Sequence, residues 1–381
     1  MEMQSKRWSK VLLQPIQNEK WQSLTIPLVS ILFSLIAAAI VIILLGKNPL
    51  QVFFNLLQGA GLMPKPVYAG YKNILTDFLH LLNAMTPLVF ASLAVIVALK
   101  AGLFNIGISG QMLFSGFLAT ILVGYSDWHP FIAKPLVLII GMIAGGLLGS
   151  LVGFLKYRFN INEVVSTIML NYITSYVISF FIHMYYIDPV SRQSRYITDA
   201  ARITLTNVEI ANLKMEIPLG FLLAIVVALI LHFFLDQTVP GLEIKMVGAN
   251  PNAAKYAGVH VGRNMIMAMM LSGCLAGLAG VTYYLGYFAS IQPRVLADVG
   301  FNSIAVALLG NSHPIGVIFS SFLISVIDQG STYMSSQAGI RQEIASVIIG
   351  LILLFSACSA YLKYKVNRLK EMEKVGRESE A

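Results

Sequence analysis

The sequence predicts an all-α polytopic membrane protein of about ten transmembrane helices, and three observations carry that expectation. Of the 381 residues, 57% are hydrophobic and 12% charged, against a charged share of roughly 25% in ordinary soluble domains. That is too little charge to cover a water-exposed surface, and the mean hydropathy of +0.74 agrees. Apolar runs recur along the chain at about 20 residues, the length a helix rising ~1.5 Å per residue needs to cross ~30 Å of hydrocarbon. The 26 Lys and Arg are scattered between those runs and in the two tails, as topology signals are.

In order, the runs are residues 24–46, 73–99, 104–125, 131–156, 163–187, 217–235, 264–288, 301–310, 314–330 and 341–362. The eighth is short, and the turn signals Asn311-Ser312-His313-Pro314 that follow it predict a re-entrant or broken span. With the N-terminus in the cytoplasm, sixteen of the basic residues fall inside and ten outside, which favours cytoplasmic placement of both ends. Nine spans would put the basic tail outside. The expected division is therefore a cytoplasmic N-terminal tail (1–23), a membrane domain (24–362) and a basic cytoplasmic C-terminal tail (363–381). The first span exceeds a signal-peptide core and no small-residue cleavage pattern follows it, so it reads as retained. The longest loop, 188–216, lies outside and reads as a docking surface or a long connection.

Gly141, Gly145, Gly149 and Gly153 recur every four residues in the fourth run, and Gly273, Gly277 and Gly280 repeat the pattern in the seventh. That spacing lines up small residues on one helix face, where a second backbone can approach closely.

Several chemistries are excluded. No GxxxxGK[ST] occurs, so the chain has no phosphate cradle for ATP. GxSxG, a Ser-His-Asp order, HExxH and paired intramembrane carboxylates are absent too. Neither catalytic nor metal-ligating residues are expected. Cys274 and Cys358 lie in apolar runs and read as packing residues. The net charge of +8 is spread along topology-setting loops, which argues against nucleic acid. Acids in the bilayer mark ion coupling, yet Asp77 and Asp328 both fall near helix ends.

What the runs do hold is neutral polarity. Thr167, Asn171 and Thr174 form one stripe at i, i+4, i+7; Ser321, Ser325 and Asp328 form another. Asn105, Ser109, Gln111 and Ser115 crowd the start of the third run, and His80, Asn83 and Thr86 line the second. Singly, each fits interhelical hydrogen bonding. Together they favour a pathway for an uncharged polar solute, with Asn83, Asn105, Gln111, Thr167, Asn171, Ser321 and Ser325 as the candidates.

Residues 241–259 read Gly-Leu-Glu-Ile-Lys-Met-Val-Gly-Ala-Asn-Pro-Asn-Ala-Ala-Lys-Tyr-Ala-Gly-Val. Asn250 suits an N-cap, Pro251 a first turn and Gly258 a C-terminal cap. A capped helix of about two turns is predicted outside the membrane. So short a helix frays unless it docks, either on its own bundle or on a partner.

Four stretches, 102–111, 162–171, 247–258 and 300–310, together resemble permease subunits of bacterial ABC importers, in the branch for branched-chain amino acids, ribose and nucleosides. The resemblance spans residues of about 75 to 355 and implies a type II ABC importer-like fold in the bacterial cytoplasmic membrane. It implies a coupling region at 241–259, with Glu243, Asn250, Pro251, Ala253, Ala254, Tyr256 and Gly258 meeting an ABC ATPase. ATP and Mg would be bound by that ATPase and no cofactor by this chain. A second permease chain and an extracytoplasmic solute-binding protein are the other implied partners. The run 163–171 is most similar to the nucleoside branch. Simple sugars or branched-chain amino acids are the alternative cargo, and an ion-coupled secondary transporter the alternative of another class.

Overall fold

The computed structural model describes residues 19–68, 70–210 and 213–357. Most of the N-terminal tail, the end of the tenth run and the basic C-terminal tail lie outside them. The chain divides into two units, Met1–Leu57 with Gly330–Ala381, and Gln58–Gln329.

In the first unit, helix α1 (Glu19–Leu44) breaks at Gly46 (φ +71°), and α2 (Pro49–Gly59) leaves at 113° to the Ile31–Leu44 segment. Asn48 accepts from Leu50 N (3.0 Å) and Pro49 opens the helix. The Asn-Pro start is the sequence signal for this helix, which lies between the first two apolar runs. Helix α13 (Glu343–Ala357) packs on α1, with the Phe33 and Phe355 rings 6.4 Å apart.

The second unit is built around α3 (Ile74–Lys100), whose residues 85–98 are all buried. A helix apolar on every face belongs in a core. Around it stand α4 (Ile108–Ala119), α5 (Pro130–Phe159), α6 (Glu163–Phe181), α7 (Leu219–Gln237), α8 (Val239–Ala249), α9 (Pro251–Tyr256), α10 (Val261–Val281), α11 (Asp298–Leu309) and the first part of α12 (Pro314–Ala338). Helices α4, α6 and α10 each end in a widened π turn, at Thr120–Gly124, Ile182–Tyr186 and Thr282–Phe288.

By length and composition six helices in the described residues can cross a membrane, or seven if the bent α1–α2 pair is one span. Three shorter apolar helices, Ile108–Gly124, Asp298–Leu309 and Glu343–Ile352, accompany them. Each of the ten apolar runs therefore falls on a helix. After α11 the chain turns through Asn311 and Ser312, both left-handed at φ 55° and 50°.

The all-α expectation needs one correction. The 188–216 connection holds an antiparallel hairpin, β1 (Thr204–Ile210) with β2 (Leu213–Pro218). Its polar–apolar alternation (Lys214, Glu216 against buried Met215) is the half-buried strand pattern. The sixth helix accordingly starts at Leu219, after β2. Upstream, the connection is tied down by Arg195 N to Tyr186 O (2.9 Å), Thr198 N to Gly124 O (3.0 Å) and Ile197 N to Ala289 O (3.1 Å).

Glycine explains the closest helix pair. A Cβ at Gly145 would strike Gly273 O, one at Gly149 would strike Met269 O, and Gly277 faces Gly141 O. Helix α5 thus packs backbone to backbone on α10. Gly280 faces another way, against Met112 O of α4. The α10 glycines serve two neighbours rather than one stripe.

Candidate functional site

At one end of the second unit, α8 and α9 form a compact projection. Thr238 Oγ1 accepts from Gly241 N (3.2 Å) and Pro240 enters the first turn, starting α8. Three anchors then fix α8. Asn264 Nδ2 donates to Glu243 Oε2 (2.9 Å), joining it to α10. Lys245 Nζ meets Asp236 Oδ1 of α7 at 3.0 Å. Gly248 lies so close to the end of α3 that a Cβ there would strike Lys100 O and the Gly102 backbone.

On this base α9 is closed at both ends. Asn250 Oδ1 accepts from Asn252 N (3.0 Å) and Ala253 N (3.2 Å), and Pro251 takes the first position. Gly258 N donates to Lys255 O (3.1 Å) and Val259 N to Ala254 O (3.0 Å), with Gly258 at φ +85°. That bond pair is a Schellman cap, whose left-handed residue suits glycine. Ala254 is buried, whereas Pro251, Ala253 and Gly258 are exposed, and Tyr256 is 94% exposed. The sequence located α9 and its caps. It missed α8, although Thr238-Val239-Pro240 carried a start signal, and it missed the anchors Lys245 and Gly248.

The seven pathway candidates fall in three places. Asn105 Nδ2 donates to Gln111 Oε1 (3.0 Å) and Ser272 Oγ (2.9 Å), its Oδ1 accepts from Gly107 N (3.0 Å), and Ser272 Oγ donates to Ala94 O (2.7 Å). Asn171 accepts from Gly110 N (2.8 Å) and donates to Ile106 O (3.0 Å). Thr167 packs beside Gly107 and returns its hydroxyl to Glu163 O (2.8 Å). Asn105, Gln111, Thr167 and Asn171 thus meet around the connection from α3 to α4, with their side-chain oxygens and amides engaged. Ser321 and Ser325, on α12, are buried as well, and Ser321 Oγ has no hydrogen-bond partner.

Asn83 sits near the hairpin. Its Oδ1 accepts from Thr204 Oγ1 of β1 (2.9 Å), and its buried Nδ2 faces the Glu216 carboxyl without a well-formed hydrogen bond. Glu216 of β2 stands 3.7 Å from His80 Nδ1. The His80 ring lies 5.4 Å from Tyr287, whose hydroxyl accepts from Gln329 Nε2 (3.1 Å). Aromatic faces, an amide and a carboxylate therefore meet at this end. His80 and Asn83 were read from the sequence. Thr204, Glu216 and Gln329 were not, because only the tertiary fold brings them there. The Glu216 carboxyl is held below its ordinary value, chiefly by the His80 imidazole, with burial opposing and Arg202 and Asn83 adding. Asp77, a candidate for ion coupling alongside Asp328, is paired with Lys65 Nζ at 2.6 Å.

Residues 78–357 match the family model described as branched-chain amino acid transport system / permease component. The nucleoside ABC transporter permease protein NupB of Lactococcus lactis is 32% identical over 93% of this chain and 96% of its own length. The guanosine ABC transporter permease protein NupP of Bacillus subtilis is 32% identical over 91% and 97%. The glucose ABC transporter permease protein TsgB13 of Haloferax volcanii is 25% identical over 91% and 90%. A polytopic helical bundle with a capped helix projecting from it, matched along nearly its whole length, belongs to the branched-chain amino acid transport system / permease component family of ABC transporter permeases.

Proposed function

We propose that this chain is the membrane-spanning permease subunit of an ATP-driven importer for nucleosides in the bacterial cytoplasmic membrane. The observation that carries the reading is the α8–α9 projection, anchored to three helices and exposing Pro251, Ala253 and Tyr256. A rigid tip on a base that touches α3, α7 and α10 passes motion between a partner and the bundle. The partner is an ABC ATPase that binds ATP and Mg; this chain binds neither. Glu243 positions the base, while Asn250, Ala254 and Gly258 keep α9 helical. ATP binding then biases an equilibrium between outward- and inward-facing forms, which differ by a few kcal/mol in such systems.

In this reading the membrane domain covers 24–362 with its coupling region at 241–259, crosses the bilayer ten times, and leaves both tails in the cytoplasm. The bias of Lys and Arg supports that orientation, which puts the hairpin end outside, facing a solute-binding protein. A second permease chain completes the pathway. Of the seven candidates, Asn83, Ser321 and Ser325 face the solute, and Asn105, Gln111, Thr167 and Asn171 frame the route. Nucleosides suit the hairpin end, where His80 and Tyr287 offer ring faces and Asn83 a loosely held amide donor.

A strain lacking this chain tests the reading through uptake of labelled guanosine, uridine, glucose and leucine. Loss of nucleoside uptake alone, restored by the intact chain, is the expected result. Loss of glucose uptake instead would favour a sugar permease, the reading that similarity to TsgB13 supports. Uptake that survives ATP depletion but stops when ion gradients collapse would favour an ion-coupled carrier. Purification from native membranes should bring an ATPase with a Walker A motif and a second permease.

A further inference from the structure

We propose that His232, Asp236 and His313 form a binding site for one transition-metal dication of the Zn²⁺ class. His232 and Asp236 lie one turn apart on α7, and His313 comes from the turn between α11 and α12. One donor atom from each lies within 4.8 Å of the other two. Asp236 Oδ2 is 2.9 Å from His232 Nδ1, and the two imidazole rings are 4.9 Å apart between centroids. His232 Nδ1 is buried and, although Asp236 Oδ2 stands 2.9 Å away, no well-formed hydrogen bond joins them. Lys245 Nζ holds the other carboxylate oxygen, Oδ1, at 3.0 Å. Oδ2 therefore remains for the cation, while the ammonium fixes the carboxylate from behind.

The donor set decides the class of ion. Two imidazoles and one carboxylate oxygen suit Zn²⁺, Ni²⁺ or Cu²⁺, whereas Mg²⁺ and Ca²⁺ need several oxygens. Around tetrahedral zinc the donors stand about 3.3 Å apart, with water in the fourth position. His313 is exposed, so its imidazole is free to close the remaining distance. A bound cation would pin α7 to the α11–α12 turn, whose Asn311 and Ser312 hold left-handed backbone, and through Asp236 and Lys245 would brace the base of α8. The inference concerns these side chains alone and does not depend on which solute the chain carries.

The test is Zn²⁺ binding to the full-length purified chain carrying no polyhistidine tag, followed by equilibrium dialysis and metal analysis. One zinc per chain is expected, unaffected by millimolar Mg²⁺. His313→Ala and Asp236→Asn should each weaken binding by at least about tenfold, a loss that even outer contacts of zinc sites produce. His129→Ala, remote from the cluster, should not. Zinc binding unchanged in both cluster variants, or lost equally in His129→Ala, would overturn the site. Metal-free thermal unfolding identifies any variant that misfolds, and His313→Gln replaces His313→Ala in that case.

Discussion

At the end that carries α8 and α9, the groups that cap α9 find partners a few residues away. Asn250 caps the backbone of Asn252 and Ala253, and Gly258 and Val259 return their amides to Lys255 and Ala254. At the hairpin end the partners are distant in sequence: Thr204 and Asn83 are 121 residues apart, and Gln329 and Tyr287 are 42 apart. The first end caps α9 locally and leaves Pro251, Ala253 and Tyr256 exposed. The second forms only when several elements have assembled, and its buried donor, Asn83 Nδ2, faces Glu216 without a well-formed hydrogen bond. Local closure keeps a short helix intact. A loosely held buried donor is open to exchange its partner for a polar group arriving from solution.

If that contrast holds, damage at one end should leave the other intact. The largest effect is expected from Gly248→Val, which sets a branched side chain against Lys100 O and the Gly102 backbone. Overpacking of this kind costs about 1–3 kcal/mol or more, enough to lift α8 from α3. Uptake should fall by more than about tenfold, since each 1.4 kcal/mol is a factor of ten, with loss of the co-purifying ATPase. Binding of the extracytoplasmic solute-binding protein should persist. Loss of both partners together would show that the two ends are one cooperative structure.

Next in size is Gly258→Val. Nothing lies within 4 Å of a Cβ at this position, so the substitution tests backbone conformation without a clash. A non-glycine residue in the left-handed region costs roughly 1–2 kcal/mol, and a six-residue helix has few other bonds to compensate. We expect uptake to drop severalfold while the chain reaches the membrane in normal amount. Gly258→Asn should recover part of the loss, because asparagine tolerates this region. Equal uptake by the valine variant and the parent would remove α9 from the coupling route.

The same contrast explains what could be read before the fold was known. Asn250, Pro251 and Gly258 were legible because caps act within a turn, and residue type alone encodes them. The α5 glycine stripe was legible because its period is that of a helix, although the second partner of the α10 glycines, Met112 on α4, was not. Apolar length located every long helix but said nothing of the bend between α1 and α2. The hairpin was hidden because its strands are short and half-polar, inside a connection already explained as a loop. Glu216 and Thr204 acquire meaning only from contacts across the bundle with His80 and Asn83. No spacing rule reaches 121 residues.

At the hairpin end, Asn83→Leu removes the amide donor that faces Glu216 and the acceptor for Thr204 together. If Asn83 Nδ2 meets the solute, the Michaelis constant for uptake should rise about three- to tenfold, the effect of one hydrogen bond worth roughly 0.5–1.5 kcal/mol. The ATPase should still co-purify. Asn83→Asp keeps the acceptor and abolishes the donor, so it separates solute contact from support of β1. A variant with unchanged uptake kinetics and lowered thermal stability would return Asn83 to a packing role.

The smallest effect belongs to Glu216, and it has a definite sign. His80 holds its carboxyl below the ordinary value, so the folded state binds this proton less readily than the unfolded chain does. Its contribution to stability is therefore present above the usual carboxylate range and is lost as pH falls through the depressed folded value. Both side chains of the pair are more than two-fifths exposed, and solvent-screened pairs contribute only about 0–1 kcal/mol. Glu216→Gln should thus unfold slightly earlier than the parent at pH 7. The gap should close as pH drops below about 4, where the unfolded carboxyl also protonates. Thermal unfolding of parent and variant across that interval measures it. A gap that stays constant with pH would mean that Glu216 supports β2 by packing, and that charge has no part in joining the hairpin to α3.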